Sequence, residues 1–300
     1  YKRQGTTATY NVNQVLDEIF FVVRPTENPY ALETYNRGNY FMFDLNRDST
    51  YQTQIESQVA TADIVKWNPV TLLELHGFIY GSRTQLMVEP CTPPHEPNLE
   101  YDLFMNYALE GAHAFGAVAS LNSVYNASQK NVDSVAGDSG FAGIEVGDPW
   151  YEICILDNLN RETNTWDYPS DDMSTNYTPT YALFHGTIGY TVECGELNQN
   201  ATDMHKYGII GHTAYVAENK EALYKNQLEF FKRAIANEES EETEKWFVDQ
   251  NNQQVIDFRE KNENGKFYPE YYAIPVDAKS QRDIADAYDC LLYTSPSPRD

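Results

Sequence analysis

Positive charge is scarce in this chain. Over 300 residues, 21 Lys and Arg face 45 Asp and Glu, a formal net charge of −24, and the pI is near 4.5. Such a surface repels polyphosphates and anionic bilayers, which argues against nucleic-acid and membrane-surface binding. Cysteine is scarcer still, with four residues and no C-x-x-C pair, so neither a disulfide framework nor a zinc knuckle is on offer. No apolar run approaches the length of a membrane span. No internal repeat is visible, and Gly137, Gly140 and Gly143 do not follow a convincing strand, which argues against dinucleotide binding.

What is present reads as a folded, loop-rich globular protein: 23 tyrosines spread among Asn, Asp and Thr. The length allows one large domain or two smaller ones, with a sizeable core. The acidity suits a solvated extracellular or cell-surface setting. The chain opens at Tyr1 without Met, basic n-region or apolar h-region, so a signal peptide is processed or lies outside the sequence.

"EIFFVVRP" (18–25) reads as a buried strand ended by proline. A long polar loop follows, of the length that usually carries function. Ile55, Val59, Ala62 and Val65 or Lys66 then fall at helical spacing, and Asn68-Pro69 closes the helix. "VTLLELHGF" (70–78) is a second buried strand. Strand, helix and strand make a βαβ unit with a parallel pair, and loops after strand C-termini then collect the active site. Further along, "LMVEP" (86–90) reads as a strand, 99–121 as a helix, "WYEICIL" (150–156) as a strand among loops, and "HGTIGYTVECGE" (185–196) as a third buried strand. Tyr224, Leu228, Phe231 and Ile235 mark an amphipathic helix, and "NEESEETEK" (237–245) reads as a solvated helix end or linker.

Three strand-end signals stand together: Asn46-Arg47 after an aromatic stretch, His76 at one strand tip and Glu193 at another. A histidine ligand, a carboxylate base and a guanidinium beside an amide are what metal-assisted cleavage at a free carboxyl terminus requires. Arginine holds the terminal carboxylate in a bidentate fork while the asparagine amide donates beside it. A glutamate takes a proton from water and passes it to the leaving amine, and a second arginine stabilises the oxyanion.

"IFFVVRPTENPYALETYNRGNYFMFDLNRD", followed by a helix and "NPVTLLELHGF", resembles the central portion of the M14 zinc carboxypeptidases. The matching pieces are Asn28-Pro29, Arg37, Asp44-Leu45-Asn46-Arg47, Glu56 and His76, and "HGTIGYTVE" resembles the segment with the family's catalytic glutamate. The resemblance covers about residues 15–236 and implies an α/β/α sandwich with a mixed, mostly parallel sheet. It implies His76 as a zinc ligand, Asn46 and Arg47 as the binders of the substrate carboxylate, Arg37 as the group polarising the carbonyl, and Glu193 as general base. Tyr177 is the nearest candidate for the family's active-site tyrosine, with Tyr168 competing. The implied substrate is a peptide or protein C-terminus. A non-catalytic relative that binds peptide or cell-wall termini is the rival expectation.

No His-x-x-Glu occurs in the sequence. The resemblance therefore places the other two zinc ligands upstream of Tyr1 and implies a chain inactive by itself. Asn28-Pro29-Tyr30-Ala31 also departs from the family's commoner Asn-Pro-Asp-Gly turn. The expected organisation is a peptidase-like domain over 1–237, an acidic linker and the start of a further module over 238–289, and an artefactual tail over 290–300. "CLLYTSPSPRD" reverse-translates into what resembles a sequencing adapter. Glu196 competes with Glu193 by position, but the apolar "TIGYTV" before Glu193 favours it as the partly buried base. His95, His185 and the Glu110/His113 pair read as structural residues.

Overall fold

A computed structural model describes residues 11–77, 86–90, 96–122, 174–194, 198–247 and 254–271, with short pieces at 152–153, 159–160, 165–166, 249, 273, 284–286 and 288. The order of elements is α1 (Val12–Glu18), α2 (Pro29–Thr34), a 3-10 turn (Leu45–Arg47), α3 (Ile55–Trp67), β1 (Thr71–Leu75), β2 (Leu86–Pro90), α4 (Tyr101–Asn122), β3 (Glu152–Ile153), β4 (Leu159–Asn160) and β5 (Thr165–Trp166). They are followed by α5 (Thr178–Leu183), β6 (Ile188–Cys194), α6 (Gln199–Ala236) and α7 (Glu241–Glu244). The protein is mixed α/β and mostly helical.

The central sheet is four-stranded, in the order β1-β6-β2-β3. β1 pairs with β6 in parallel, β6 with β2 antiparallel, and β2 with β3 in parallel. Thr71 faces Ile188 and Leu75 faces Val192. Because side chains alternate along a strand, this register sorts β6 into two faces. Ile188, Tyr190, Val192 and Cys194 are buried on one face, in a core with Val88, Phe104, Phe115 and Met204. Gly189, Thr191 and Glu193 point the other way, and so do their neighbours Leu72, Glu74 and, one step beyond the strand, His76.

The core face is covered by α4 and α6, which approach closely because small residues line their contact. A Cβ on Gly208 would meet Phe115 Cε1 at 2.1 Å, and one on Gly211 would meet the Ala114 carbonyl oxygen at 2.3 Å. His212 is buried there, its Nδ1 3.3 Å from the Gly111 carbonyl and its ring edge-on to Tyr190. Each fully buried large apolar side chain in this interface contributes roughly 1.5–3 kcal/mol. The opposite face carries α5, which sits so near β6 that a Cβ on Gly189 would lie 2.4 Å from the Pro179 carbonyl oxygen.

One expectation is revised. "EIFFVVRP" is not a strand: residues 19–24 have no regular structure, and Phe20 and Val23 are exposed at 74% and 77%. No backbone hydrogen bond joins 19–24 to a strand among the described residues, so apolar, β-branched composition alone does not make a strand here. The acidic run read as a solvated helix end or linker follows directly on the end of α6. Residues up to Arg259 belong to one compact unit, and those from Glu260 to a second. Asn237 closes α6 in the left-handed region, Ser240 caps α7, and Thr243 is buried. Arg233 bonds both Glu100 and Asp102, and the fully buried Arg259 pairs with Glu100 at 2.9 Å and donates to the Leu99 carbonyl. The two arginines on either side of the acidic run, Arg233 and Arg259, are thus neutralised by partners more than 130 positions away. In the second unit, Asn262 and Lys266 close a turn around Gly265, which has φ +74.

No described helix is long and apolar enough to cross a membrane. Tyr168, His95, Cys91, Cys154, the glycines at 137, 140 and 143, and the tail from 289 lie outside the described residues.

The contact between Gly189 and Pro179 gives a direct test. Gly189→Ala forces a methyl group against a backbone oxygen that cannot rotate away. It should destabilise the protein by about 1–3 kcal/mol, read as a lowered urea midpoint at unchanged slope, with α5 displaced from the sheet.

Candidate functional site

The long loop between residues 25 and 54 is organised by its own amides and carboxylates. Asn28 caps α2, accepting from the Ala31 N–H, and its side-chain amide donates to the Arg37 carbonyl. The fully buried Asn39 accepts from the N–H groups of Phe41 and Phe43 and donates to Gln54 at 2.9 Å. This turn holds Met42 at φ +65 and brings it against Gly38, where a Cβ would lie 2.9 Å from the Met42 backbone. Asp44 caps the 3-10 turn through the Asn46 N–H, and Asp48 accepts from the Thr53 and Gln54 N–H groups at the entry to α3. Such local bonds use the side chains that compete best with regular structure.

The same loop is stitched to the start of α5. The Ser49 N–H donates to the Asn176 carbonyl, Thr50 Oγ1 donates to the Thr175 carbonyl at 2.7 Å, and the Ser49 and Thr178 hydroxyls bond each other. Asn46 Oδ1 accepts from the Thr178 N–H at 3.0 Å. With its oxygen so engaged, the Asn46 amide nitrogen is the end left to donate. Arg47 Nη1 donates to the Asn46 carbonyl, and the guanidinium lies 3.8 Å from the centroid of the Tyr177 ring. Arg47 has no carboxylate partner among the described residues. Arg37 is tied differently: its Nε donates to Asp44 at 2.8 Å, and its side chain is 68% exposed.

The second cluster forms where β1 and β6 end side by side. His76 Nδ1 is 3.9 Å from Glu193 Oε1, and His76 Nε2 is 3.0 Å from Glu74 Oε2. All three side chains are less than a quarter exposed. The parallel register explains the meeting, since residues 74 and 76 share a face with residues 191 and 193. Burial pulls the His76 imidazole down, but the bond and charge of Glu74, together with the charge of Glu193, outweigh it and bring the pKa up to about 9. Glu27 joins the group. Burial first, then the neighbouring Glu74, push its carboxyl up to about 7 against Arg24 and His76. His205 of α6 lies against the His76 backbone, and burial, then the charge of His76, lower it to about 4.

The two clusters share one electrostatic field. Hydrogen bonding to Asp44 raises the Arg37 guanidinium, and Glu193 and Tyr177 add to that rise. Arg37 also opposes the charging of His76. Of the residues singled out in the sequence, Asn46, Arg47 and Tyr177 therefore form one group and His76 and Glu193 another, with Arg37 in reach of both. Glu27, Glu74 and His205 were not singled out. Glu74 carried a usable signal, because on a strand it must share the face of His76; Glu27 and His205 carried none.

A zinc ion needs three protein donors arranged around it. No group of three His, Cys, Asp or Glu that could hold a metal ion occurs among the described residues. His76 faces two carboxylates that are themselves its charge partners, so this donor set does not fit zinc by itself. No protein-family model, curated protein or solved structure matches the chain.

The carboxylates around His76 can be tested by titration. Its folded pKa lies above the ordinary 6.5, so the stability from this pairing is complete below 6.5 and is lost as pH rises through about 9. Glu74→Gln should bring the His76 titration, followed by imidazole proton NMR, down by at least one unit. It should also flatten the fall in stability between pH 7 and 9.

Proposed function

We propose that this chain carries the substrate-binding and proton-transfer part of a zinc-dependent carboxypeptidase that removes C-terminal residues from peptides, on an α/β/α sandwich of the M14 kind. The observation that carries the reading is the arrangement around Arg47. A guanidinium stacked on Tyr177, with no carboxylate of its own among the described residues, stands beside an amide whose oxygen is already committed to Thr178. This is a receptor for a carboxylate: planar fork, adjacent N–H donor, and an aromatic platform that fixes the fork's orientation.

In this reading Asn46 and Arg47 bind the terminal carboxylate of the substrate. Arg37, held by Asp44, presents its remaining N–H groups to the carbonyl being cleaved. Glu193 accepts the proton of the attacking water and returns it to the departing amine. Zinc would be held by His76 together with two ligands from outside the described residues. An extracellular or cell-surface setting belongs to the same proposal. A protein that binds peptide termini without cleaving them would use the Arg47 receptor identically, and turnover in the presence of zinc separates the two.

The receptor is testable without any metal. An N-acetylated tripeptide with a free carboxyl terminus should bind the chain in calorimetry, and its C-terminal amide should not. Charge-assisted bonds are worth about 1.5–3 kcal/mol, so Arg47→Ala should weaken acid binding by about 10–100-fold. Equal binding of acid and amide, or an unaffected Arg47→Ala variant, contradicts the assignment.

A further inference from the structure

Where α4, α6 and β6 meet, the protein buries a histidine. His212 of α6 is 3% exposed, and its Nδ1 lies 3.3 Å from the Gly111 carbonyl of α4. Within a helix that carbonyl already accepts the N–H four residues on, and it offers its second lone pair here. A carbonyl only accepts, so Nδ1 carries the proton and Nε2 is left as a bare acceptor. Nε2 is buried and has no hydrogen-bond partner among the described residues. A ring without nitrogen would avoid the cost of a buried, unsatisfied acceptor.

The surroundings hold the ring in place. It stands edge-on to Tyr190 of β6, with centroids 4.8 Å apart, and Tyr215 of α6 follows at 6.1 Å. A Cβ at Gly111 would meet the Tyr190 hydroxyl and, at 3.1 Å, His212 Cε1. The Tyr190 and Tyr215 hydroxyls both donate to the Tyr107 carbonyl of α4, at 3.4 and 3.1 Å. One carbonyl, a turn before Gly111, thus fastens the strand and both helices together. Among the described residues, the titratable groups that face the imidazole are these tyrosines, and burial pushes the Tyr215 hydroxyl up. Glu110 of α4 is exposed and acts on Tyr215. His113 lies about 200° around α4 from Gly111, and His205, about two turns earlier on α6, rests against the His76 backbone. Burial holds the His212 imidazole down to about 4, with the Gly111 carbonyl opposing.

We propose that His212 makes this junction an acid-operated latch: a proton taken up at Nε2 sets a positive charge where no carboxylate among the described residues bonds it, and α6 is released from α4 and β6. The released ring takes its proton at the ordinary 6.5, whereas the closed junction takes it only near 4. The latch is therefore fully closed above 6.5 and weakens as pH falls from 6.5 towards 4. Because β6 carries Glu193 near its end, release also loosens the strand on which the His76 cluster depends. The inference needs no metal and no peptide, so it stands or falls separately from the carboxypeptidase reading.

The test compares the whole chain with His212→Phe at pH 7 and pH 5, by site-resolved amide exchange corrected for the intrinsic effect of pH. In the unaltered chain the protection of the Gly208, Gly211 and Tyr215 amides should fall about 10–20-fold more than that of the Ala60 and Ile64 amides of α3. In His212→Phe that difference should vanish. Imidazole nitrogen NMR on the unaltered chain gives a second reading that needs no variant to fold. His212 should remain neutral and protonated at Nδ1 from pH 8 down to about 5. The proposal is overturned if His212 takes up its proton near 6.5 in the folded chain. It is equally overturned if His212→Phe keeps the same pH dependence, or if the α3 amides lose protection in step with those of α6.

Discussion

The parallel pairing of β1 with β6 is the constraint from which the rest of the structure follows. Its register sets Thr71 opposite Ile188 and carries on to bring His76 level with Glu193. A shift by one residue would turn every side chain of β1 to the other face, sending Glu74 and His76 toward the core and Leu73 toward the site. The register is held by burial on one side. Ile188, Tyr190 and Val192 are at most 2% exposed beneath α4 and α6, and Leu73 packs against the same cluster. Hydrophobic packing on one face therefore positions the polar chemistry on the other.

The loop that carries Arg37, Asn46 and Arg47 is placed by different forces. It has little apolar burial, and Tyr35, Tyr40, Phe41 and Met42 are all exposed. Its shape comes from side-chain bonds at Asn28, Asn39, Asp44 and Asp48, and its position from the stitching of residues 46–50 to residues 175–178. Because α5 follows at once from Tyr177, the contact of α5 with Gly189 ties this loop to the same strand that carries Glu193. Both clusters are thus referenced to β6, and residues as far apart in sequence as Asn46 and Thr178 are brought into contact.

Much of this was legible in the sequence where local pattern and tertiary setting agree. The run at 70–78 is β1 with His76 at its tip, and 185–196 contains β6 with Glu193 near its end. Helices read at 55–66 and 99–121 are present. Other signals were legible in kind but not in direction. Ile55, Val59 and Val65 do lie on a helix, and Tyr224, Leu228, Phe231 and Ile235 lie on another, yet all of them are exposed at 36% or more. The faces that pack are Ala60 and Ile64 on α3, and Leu223 and Gln227 on α6. Periodicity identifies a helix, whereas the buried face depends on what stands beside it. The same reason bears on residues 19–24, whose strand-like composition is not matched by backbone pairing to any strand among the described residues. Buried polar pairing was illegible for a related reason, since Arg259 is defined by Glu100, just before α4, and Arg233 and Thr243 by Asp102, in its first turn, partners that no local window contains.

The register of β1 against β6 is the claim on which the candidate site rests. Trans-hydrogen-bond scalar coupling, measured by NMR on the deuterated chain, reads it directly. The account predicts a coupling from the His76 amide nitrogen to the Val192 carbonyl carbon, and from the Ile188 amide nitrogen to the Val70 carbonyl carbon. Coupling of the His76 amide to the Thr191 or Glu193 carbonyl instead would contradict it, because His76 and Glu193 would then no longer share a face.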